Sequence, residues 1–263
     1  MHQELNSVSC VSVSWCVAVG FYYYAFHDQN LVESWDGTSW HGEMVPSTSP
    51  TDDNGLNSVS CVSVSWCVAV GGYYDGSVDR TLVTSWNGME WSISQSPNAT
   101  SRDRLTGVSC VSVTFCLAVG TYLDSDWRTL AEVWNGTTWS VVPSANAADE
   151  NGIVANDELD SVSCVTASSC MAVGNYKTVA AGQNLVETWD GSTWSVMPSE
   201  NAGTGNNFLV SVSCAADSPC VAVGHYVSDV NQTLVLSLTE AEPPTTSTTS
   251  APPADPVAPA FTG

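Results

Sequence analysis

Basic residues are scarce in this chain of 263 residues. Five Lys and Arg stand against 27 Asp and Glu, which gives a formal net charge of −22. A surface this acidic repels the phosphate backbone of a nucleic acid and the anionic headgroups of a membrane. The composition therefore argues against both partners and leaves glycans, proteins and cations as ligand classes.

Long hydrophobic runs and helical periodicity are lacking as well. The apolar stretch 8–26 has no basic segment before it, and it recurs along the chain, so we interpret it as core structure and not as a signal peptide or membrane helix. We expect no membrane insertion. Short runs rich in Val, Ser, Thr, Trp and Tyr favour β-strands throughout.

Unpaired cysteine is also lacking. Ten cysteines form five pairs, each with five residues between its members, and this even count at constant spacing indicates one disulfide per pair. A zinc knuckle would need closer cysteines or a second ligand pair. Disulfides imply an oxidising compartment, so we expect a secreted or cell-wall-associated protein. The pairs are Cys10/Cys16, Cys61/Cys67, Cys110/Cys116, Cys164/Cys170 and Cys214/Cys220.

Repetition is what the chain has in abundance. Each cysteine pair belongs to a unit of about 50 residues that begins L-x-x-V-S-C and continues through C-x-A-V-G-x-Y. A third apolar segment follows, such as NLVESW, and in four units an Asn-Gly or Asp-Gly dipeptide then leads to a second tryptophan. These dipeptides are strong hairpin signals because both residues tolerate positive φ. Each complete unit therefore predicts four antiparallel strands, A to D.

Four antiparallel strands per unit are typical of a propeller blade. The sequence predicts an all-β fold over 1–240, a β-propeller of about five four-stranded blades in which the last blade lacks its fourth strand. A β-solenoid, which needs parallel strands and a shorter period, is the alternative. The Pro/Thr/Ser-rich stretch 241–263 is expected to be a disordered linker. The expected repeats are 5–55, 56–104, 105–158, 159–208 and 209–240.

The units resemble kelch and galactose-oxidase-like propeller repeats. The run from Ala69 to Tyr73, A-V-G-G-Y, resembles a kelch strand that ends in a glycine pair, and E-x-W followed by a second Trp resembles the kelch E-x-Y…W. The fuller pattern SVSC…CVAVG…W[DN]GxxW, over residues 5 to about 240, is similar to repeat proteins of secreted actinobacterial type. This resemblance implies an extracellular propeller.

The two faces of such a propeller differ in their loops. The A–B and C–D turns lie on one face and have constant length, whereas the B–C and D–A connections lie on the other, vary in length and hold all five basic residues. We call these the constant face and the variable face. Loops on a rigid scaffold often carry function, so we place any binding site on the variable face. The alternative is that these charged loops are merely solvated.

Aromatic side chains near the variable face are the candidate ligand contacts. One tyrosine ends strand B in every unit, Trp127 lies in the third B–C loop, and His225 precedes the last tyrosine. A purely structural role is the alternative for the tyrosines, and the paired tryptophans are expected to pack in the core. The candidate ligand-binding residues are Tyr22, Tyr73, Tyr122, Tyr176, Tyr226, Trp127 and His225.

No constellation points to catalysis, so no catalytic residue is assigned. The histidines occupy non-equivalent positions, and Asp160 on strand A is a single unusual carboxylate where a glycosidase needs two. The glutamates that recur on strand C, Glu33, Glu132 and Glu187, are expected to pair with a neighbouring blade. Asp-rich loops such as 75–79 offer oxygens to Ca²⁺ but match no EF-hand loop, and no metal site or cofactor is assigned.

The expected function is a non-catalytic extracellular binding or scaffolding module whose partner is a glycan or a protein. A carbohydrate-active enzyme and an inert structural spacer are the alternatives.

Overall fold

The computed structural model describes residues 2–48, 51–100, 102–147 and 156–239. The described residues form nineteen β-strands and no helix, so none of them forms a helix of the length and hydropathy that crossing a bilayer requires. Strands group into four sheets of four strands and one of three. The prediction of a five-bladed β-propeller whose last blade lacks a fourth strand is confirmed. The linker predicted at 241–263 lies outside the described residues.

Each blade is an antiparallel meander in chain order, and we number the strands along the chain. Blade 1 contains β1 (Gln3–Ser12), β2 (Trp15–Tyr24), β3 (His27–Trp35) and β4 (Trp40–Gly42). Blade 2 contains β5 (Asn54–Ser63), β6 (Trp66–Tyr74), β7 (Asp79–Trp86) and β8 (Trp91–Ser94). Blade 3 contains β9 (Asp103–Ser112), β10 (Phe115–Asp124), β11 (Asp126–Trp134) and β12 (Trp139–Val142). Blade 4 contains β13 (Glu158–Thr166), β14 (Ser169–Lys177), β15 (Gly182–Trp189) and β16 (Trp194–Val196). Blade 5 contains β17 (Asn207–Ser213), β18 (Cys220–Val227) and β19 (Asn231–Leu238).

The cysteine pairs staple strand A to strand B near the constant face. In the first four blades the two cysteines are direct cross-strand partners, as Cys10 and Cys16 are in blade 1. Cα–Cα separations of 4.0 to 4.2 Å accompany the five bonds. The prediction of one disulfide per repeat is confirmed.

The disulfides reach into the interior, although the turns that they close lie at the surface. In blade 3, Cys116 is 0% exposed and belongs to the hydrophobic core between blades 2 and 3, while Cys110, its disulfide partner, packs against that core and is partly buried. The strand-B cysteines of blades 1, 2 and 4 are buried in the same way. Cys116 is therefore a structural residue of a blade junction and takes no part in a surface site. The other buried strand-B cysteines are Cys16, Cys67 and Cys170.

The tryptophan pairs hold the C–D turn against the A–B turn. In blade 1 the rings of Trp35 and Trp40 lie 5.7 Å apart across the Asp-Gly turn. The Trp35 indole N–H donates to the carbonyl of Val13 in the A–B turn at 3.2 Å, and the equivalent bond recurs in blades 2 to 4. The constant face therefore repeats its hydrogen bonds as well as its loop lengths.

The hydrophobic core lies between blades. We call the front face of a blade the one that carries the alternate apolar residues of strand B and the central apolar residue of strand C. We call the back face the one that carries the strand-A leucine and valine and the second tryptophan. In one such core, Val68 and Val70 on the front of blade 2 pack against Leu105, Val108 and their neighbours on the back of blade 3. Four cores of this kind join the five blades in series.

The innermost strands follow one another around the propeller axis. Strand β1 packs beside β5, β5 beside β9, β9 beside β13, and β13 beside β17. Blade 5 does not pack back onto blade 1 in the described part of the chain, and the apolar side chains of both outer faces are therefore exposed. Among the described residues, the ring is therefore open between its last and first blades.

Candidate functional site

The variable face contains a cavity of about 440 Å³ bounded by blades 1 to 4. Its walls are the beginnings of the inner strands together with the ends of strand B and the starts of strand C. These are the loops that differ most between repeats, so the cavity belongs to one place in the array and is not repeated with the blades.

Aromatic rings form part of the cavity wall. Tyr73, near the end of β6, and Trp127, near the start of β11, both line it and are both half-buried. Phe21 of blade 1 and Tyr74 of blade 2 add two further rings. Trp127 has no counterpart in the other repeats. Strands β10 and β11 join through a tight turn at Ser125, which has a φ of 49°. The register of that hairpin pairs Trp127 with Leu123 beside the cavity.

Two arginines and several carboxylates complete the wall. Arg102 Nε lies 3.9 Å from Asp79 Oδ2, a loose and exposed ion pair. Arg104 projects from β9 and lines the cavity, and its side chain has neither an ion pair nor a hydrogen bond with any residue that the structure describes. Arginine guanidinium groups present several donors in a fixed geometry, so Arg104 offers hydrogen bonds to a ligand oxygen.

Two aspartates lie close together on the blade 1 side of the cavity. The backbone N–H of Asp28 donates to Asp53 Oδ1 at 2.9 Å, and both residues line the cavity. Partial burial raises the pKa of Asp28, and the neighbouring Asp53 carboxylate raises it further. This corner of the cavity is therefore an acceptor-rich site suited to sugar hydroxyls or amide N–H groups.

Buried amide and carboxyl side chains shape the loops that enter the cavity. Asn54 and Asp103, each two positions before a strand-A leucine, are 1% exposed. Asn54 Oδ1 accepts from the Thr48 hydroxyl, and Asp103 Oδ1 accepts from the Thr100 hydroxyl. The sequence did not predict this supporting role for Asn54 or Asp103. A polar residue two positions before the leucine in every unit was the available signal.

A separate pair of ionisable groups lies on the first residues of β13. Burial and, to a lesser extent, the Glu158 carboxylate raise the pKa of Asp160 to about 6, although the Arg104 charge acts in the opposite direction. Glu158 and Arg104 also line the cavity. The structure therefore adds a second carboxyl group to the one that the sequence singled out.

Two of the three strand-C glutamates have the structural role expected of them. Glu132 of blade 3 is fully buried and accepts hydrogen bonds from the Ser96 hydroxyl of blade 2 at 2.8 and 3.1 Å. Glu187 of blade 4 accepts from the Ser144 hydroxyl of blade 3 at 2.7 Å. Burial raises the pKa of Glu132 to about 8 and that of Glu187 to about 7. Both lie inside junctions between blades.

The Asp-rich B–C loop at 75–79 is held by its own side chains. Asp75 Oδ1 accepts from the Ser77 hydroxyl, and Asp75 Oδ2 lies 2.8 Å from Arg80 Nε. The Ser77 hydrogen bond and the Arg80 guanidinium hold the pKa of Asp75 well below its usual range. No group of three His, Cys, Asp or Glu side chains placed to hold a metal ion occurs within the described ranges.

The structure brings two of the seven candidate ligand contacts together. Tyr73 and Trp127 line the cavity. Three of the other tyrosines pack against the cores between blades, and Tyr22 is half-buried on blade 1. His225 stacks on Phe208 with ring centroids 4.9 Å apart, on blade 5 and away from the cavity. The tyrosines that pack against the cores are Tyr122, Tyr176 and Tyr226.

No protein-family model matches the chain, and no curated protein matches it in sequence. The resemblance to kelch and actinobacterial repeats therefore stays a prediction.

Solved structures share the fold. A structure of YCF48 bound to D1 peptide is 11% identical with a TM-score of 0.51, and the match covers 89% of this chain and 69% of that one. The SapL1 lectin in complex with alpha methyl fucoside is 11% identical with a TM-score of 0.50, covering 91% and 81%. A structure from the GH130 family of mannoside phosphorylases is 10% identical with a TM-score of 0.43, covering 91% and 86%. At such identities the likeness concerns the fold alone.

Proposed function

We propose that this protein is a secreted, non-catalytic binding module that holds a glycan in the cavity of the variable face. The observation that carries the proposal is the meeting of Trp127 and Tyr73 with Arg104 in one cavity of about 440 Å³. Ligand sites are commonly clefts of roughly 300 to 1,000 Å³ that combine aromatic walls with a few polar groups.

The cavity has the two kinds of contact that a sugar needs. A sugar ring presents C–H groups on its faces and hydroxyls around its edge. Aromatic side chains such as Trp127 offer an apolar surface to the faces. The Arg104 guanidinium and the Asp28 and Asp53 carboxylates offer donors and acceptors to the hydroxyls. A short glycan therefore suits the cavity better than an apolar molecule.

The rest of the chain supports an extracellular role. Five disulfides persist only where the environment is oxidising. The SapL1 lectin, which has a similar fold, forms a complex with alpha methyl fucoside. YCF48, which also has a similar fold, binds the D1 peptide. Proteins of this fold therefore bind both sugars and peptides. The donors of Arg104 and the acceptor-rich corner of this cavity favour sugar.

A glycan array on the purified, oxidised protein tests the proposal. We expect binding to a limited set of glycans, with Trp127→Ala weakening it by about tenfold, or about 1.4 kcal/mol. Met89→Ala removes an exposed side chain in a C–D turn of the constant face, outside the cavity, and serves as the control, for which affinity should not change. The glycan proposal would be wrong if the array showed no binding or if the Trp127→Ala variant bound as tightly as the wild type. The remaining functions would then be protein binding and an inert structural spacer.

A carbohydrate-active enzyme is the second candidate because Asp160 and Glu158 interact beside the cavity. Glycosidases use one carboxyl group that stays protonated as the acid and one ionised carboxylate. A pKa of about 6 would let Asp160 serve as that acid. Hydrolysis of a glycoside panel that is lost in Asp160→Asn, while glycan binding is retained, would favour the enzyme. Absence of hydrolysis with intact binding would favour the binding module.

A further inference from the structure

The back face of blade 1 is an exposed copy of a surface that is buried elsewhere. The strand-A leucines of blades 2 to 5 are 0% exposed, whereas Leu5 of blade 1 is 48% exposed. Val8 is 60% exposed, and its four equivalents are 5 to 7% exposed. Trp40 is 45% exposed, and its equivalents in blades 2 to 4 are 5 to 7% exposed. The buried equivalents of Leu5 are Leu56, Leu105, Leu159 and Leu209, and those of Val8 are Val59, Val108, Val162 and Val212.

The front face of blade 5 is exposed in the complementary way. Val221, Val223 and Val235 are 42%, 39% and 64% exposed. In blades 1 to 4 every residue at these three positions is at most 2% exposed, because the back face of the next blade covers it. A contiguous apolar patch of this kind marks an interaction site more often than a free surface.

Hydrogen bonds across each internal junction show which donors and acceptors the two exposed faces present. The N–H groups of Val212 and Cys214 in blade 5 donate to the Ser161 and Ser163 hydroxyls of blade 4, at 3.2 and 3.0 Å. Bonds of the same kind join blades 1 to 2, 2 to 3 and 3 to 4. In blades 2 to 5, the inner strand thus donates one or two backbone hydrogen bonds to serines of the preceding blade.

The two ends of the array offer the two halves of this same contact. Ser211 and Ser213 of blade 5 are equivalent to the accepting serines and meet no following blade in the described part of the chain. Val8 and Cys10 of blade 1 are equivalent to the donating residues and meet no preceding blade there. The exposed apolar side chains and the inner-strand hydrogen-bonding groups of the two ends therefore match each other. The bond between a strand-C glutamate and a serine after strand D has no counterpart here, because blade 5 has three strands.

We propose that a second copy of this chain docks the front face of its blade 5 on the back face of blade 1. The contact repeats the junction that the structure contains four times, so it needs no new recognition surface. It is heterologous, because a different surface is used on each partner, and such contacts either close into a ring or extend.

Two variants that each block one end test the proposal. Val8→Asp introduces a charge on the back face of blade 1, and Val235→Asp does so on the front face of blade 5. Both side chains are mostly exposed, so the fold should survive, and circular dichroism checks this. By analytical ultracentrifugation we expect concentration-dependent association of the wild type and monomers for each variant alone. An equimolar mixture should give dimers and nothing larger, since one open front face meets one open back face.

Val13→Asp is the matched control, because Val13 is 97% exposed in the A–B turn and lies outside both end faces. It should associate like the wild type. A wild type that stays monomeric up to its solubility limit overturns the proposal, as does a mixture of the two variants that stays monomeric. If either variant unfolds, Leu5→Asp and Val223→Asp replace it at the same faces, with the same expected outcomes.

Discussion

At the scale of single residues, the glycine of strand B is fixed by lack of space. A Cβ built on Gly71 would lie 1.9 Å from the carbonyl oxygen of Gly55, and the equivalent contacts at Gly20, Gly120 and Gly174 are as short. The close approach arises because a β-bulge follows the strand-A leucine, which brings the backbone of strand A against this glycine.

We therefore expect Gly71→Ala to destabilise the protein by more than about 2 kcal/mol, because a rigid backbone atom and not a flexible side chain opposes the new methyl group. Gly42→Ala is the matched control, since nothing lies within 4 Å of a Cβ at that position. Urea denaturation of both variants measures the effect. Equal midpoints for the two variants would show that the bulge relaxes at little cost.

The buried glutamates make stability depend on pH. An acid whose pKa is raised by folding binds its proton more tightly in the folded state, so the free energy of unfolding falls as pH rises from the unfolded pKa to the folded one. For Glu132 and Glu187 this range extends from about pH 4.5 to about pH 8 and pH 7 respectively. The protein should be most stable in mild acid, which denaturation at several pH values measures.

The Glu132→Gln variant isolates that effect at one junction. The amide stays neutral at every pH and its oxygen still accepts from the Ser96 hydroxyl, so we expect higher stability than the wild type at pH 8 and a smaller loss between pH 5 and pH 8. Glu90→Gln is the matched control, because it removes one charge from an exposed C–D turn that lies outside the junctions. Parallel pH profiles for Glu132→Gln and the wild type would contradict the burial argument.

At the scale of elements, the A–B hairpin is the unit on which each blade is built. Its disulfide closes a loop of seven residues, Cys61 to Cys67 in blade 2, for which the chain-entropy model gives about 2.4 kcal/mol. We expect the Cys61→Ala/Cys67→Ala double variant to lose stability of that order in urea denaturation. An unchanged midpoint would mean that the strand pairing alone fixes the hairpin.

The elements were also the part of the fold most open to prediction. Repeated cysteines, the A-V-G-x-Y strand and the Asn-Gly or Asp-Gly turn are local signals, and each recurs at a fixed spacing. The cavity could not be predicted in the same way, because Trp127, Tyr73 and Arg104 come from different strands of neighbouring blades and only the packing of those blades brings them together. The buried Asn54 and Asp103 were missed because a polar side chain that supports a loop resembles a solvated one in sequence.

At the scale of the whole molecule, the junctions between blades decide both stability and association. Blades 2 to 4 each bury the front face on one neighbour and the back face on the other, so the described residues form a linear array whose two end faces are exposed. The sequence repeats revealed the number of blades, whereas the exposed end faces depend on how the blades pack together, which no local pattern encodes.

The net charge of −22 opposes the proposed association of two copies, so salt should strengthen it. The contact is formed by uncharged groups, namely the side chains of valines and leucine and the hydroxyls of serines, so salt does not weaken it. Salt does weaken the repulsion between two strongly acidic chains. Sedimentation at about 0.01 M and about 1 M salt, where the Debye lengths are about 30 Å and about 3 Å, separates the two effects. We expect the dissociation constant to fall at least tenfold in high salt for the wild type and for Val13→Asp. A dissociation constant that rises with salt would mean that ion pairs hold the copies together, which would exclude the end-to-end junction as their contact.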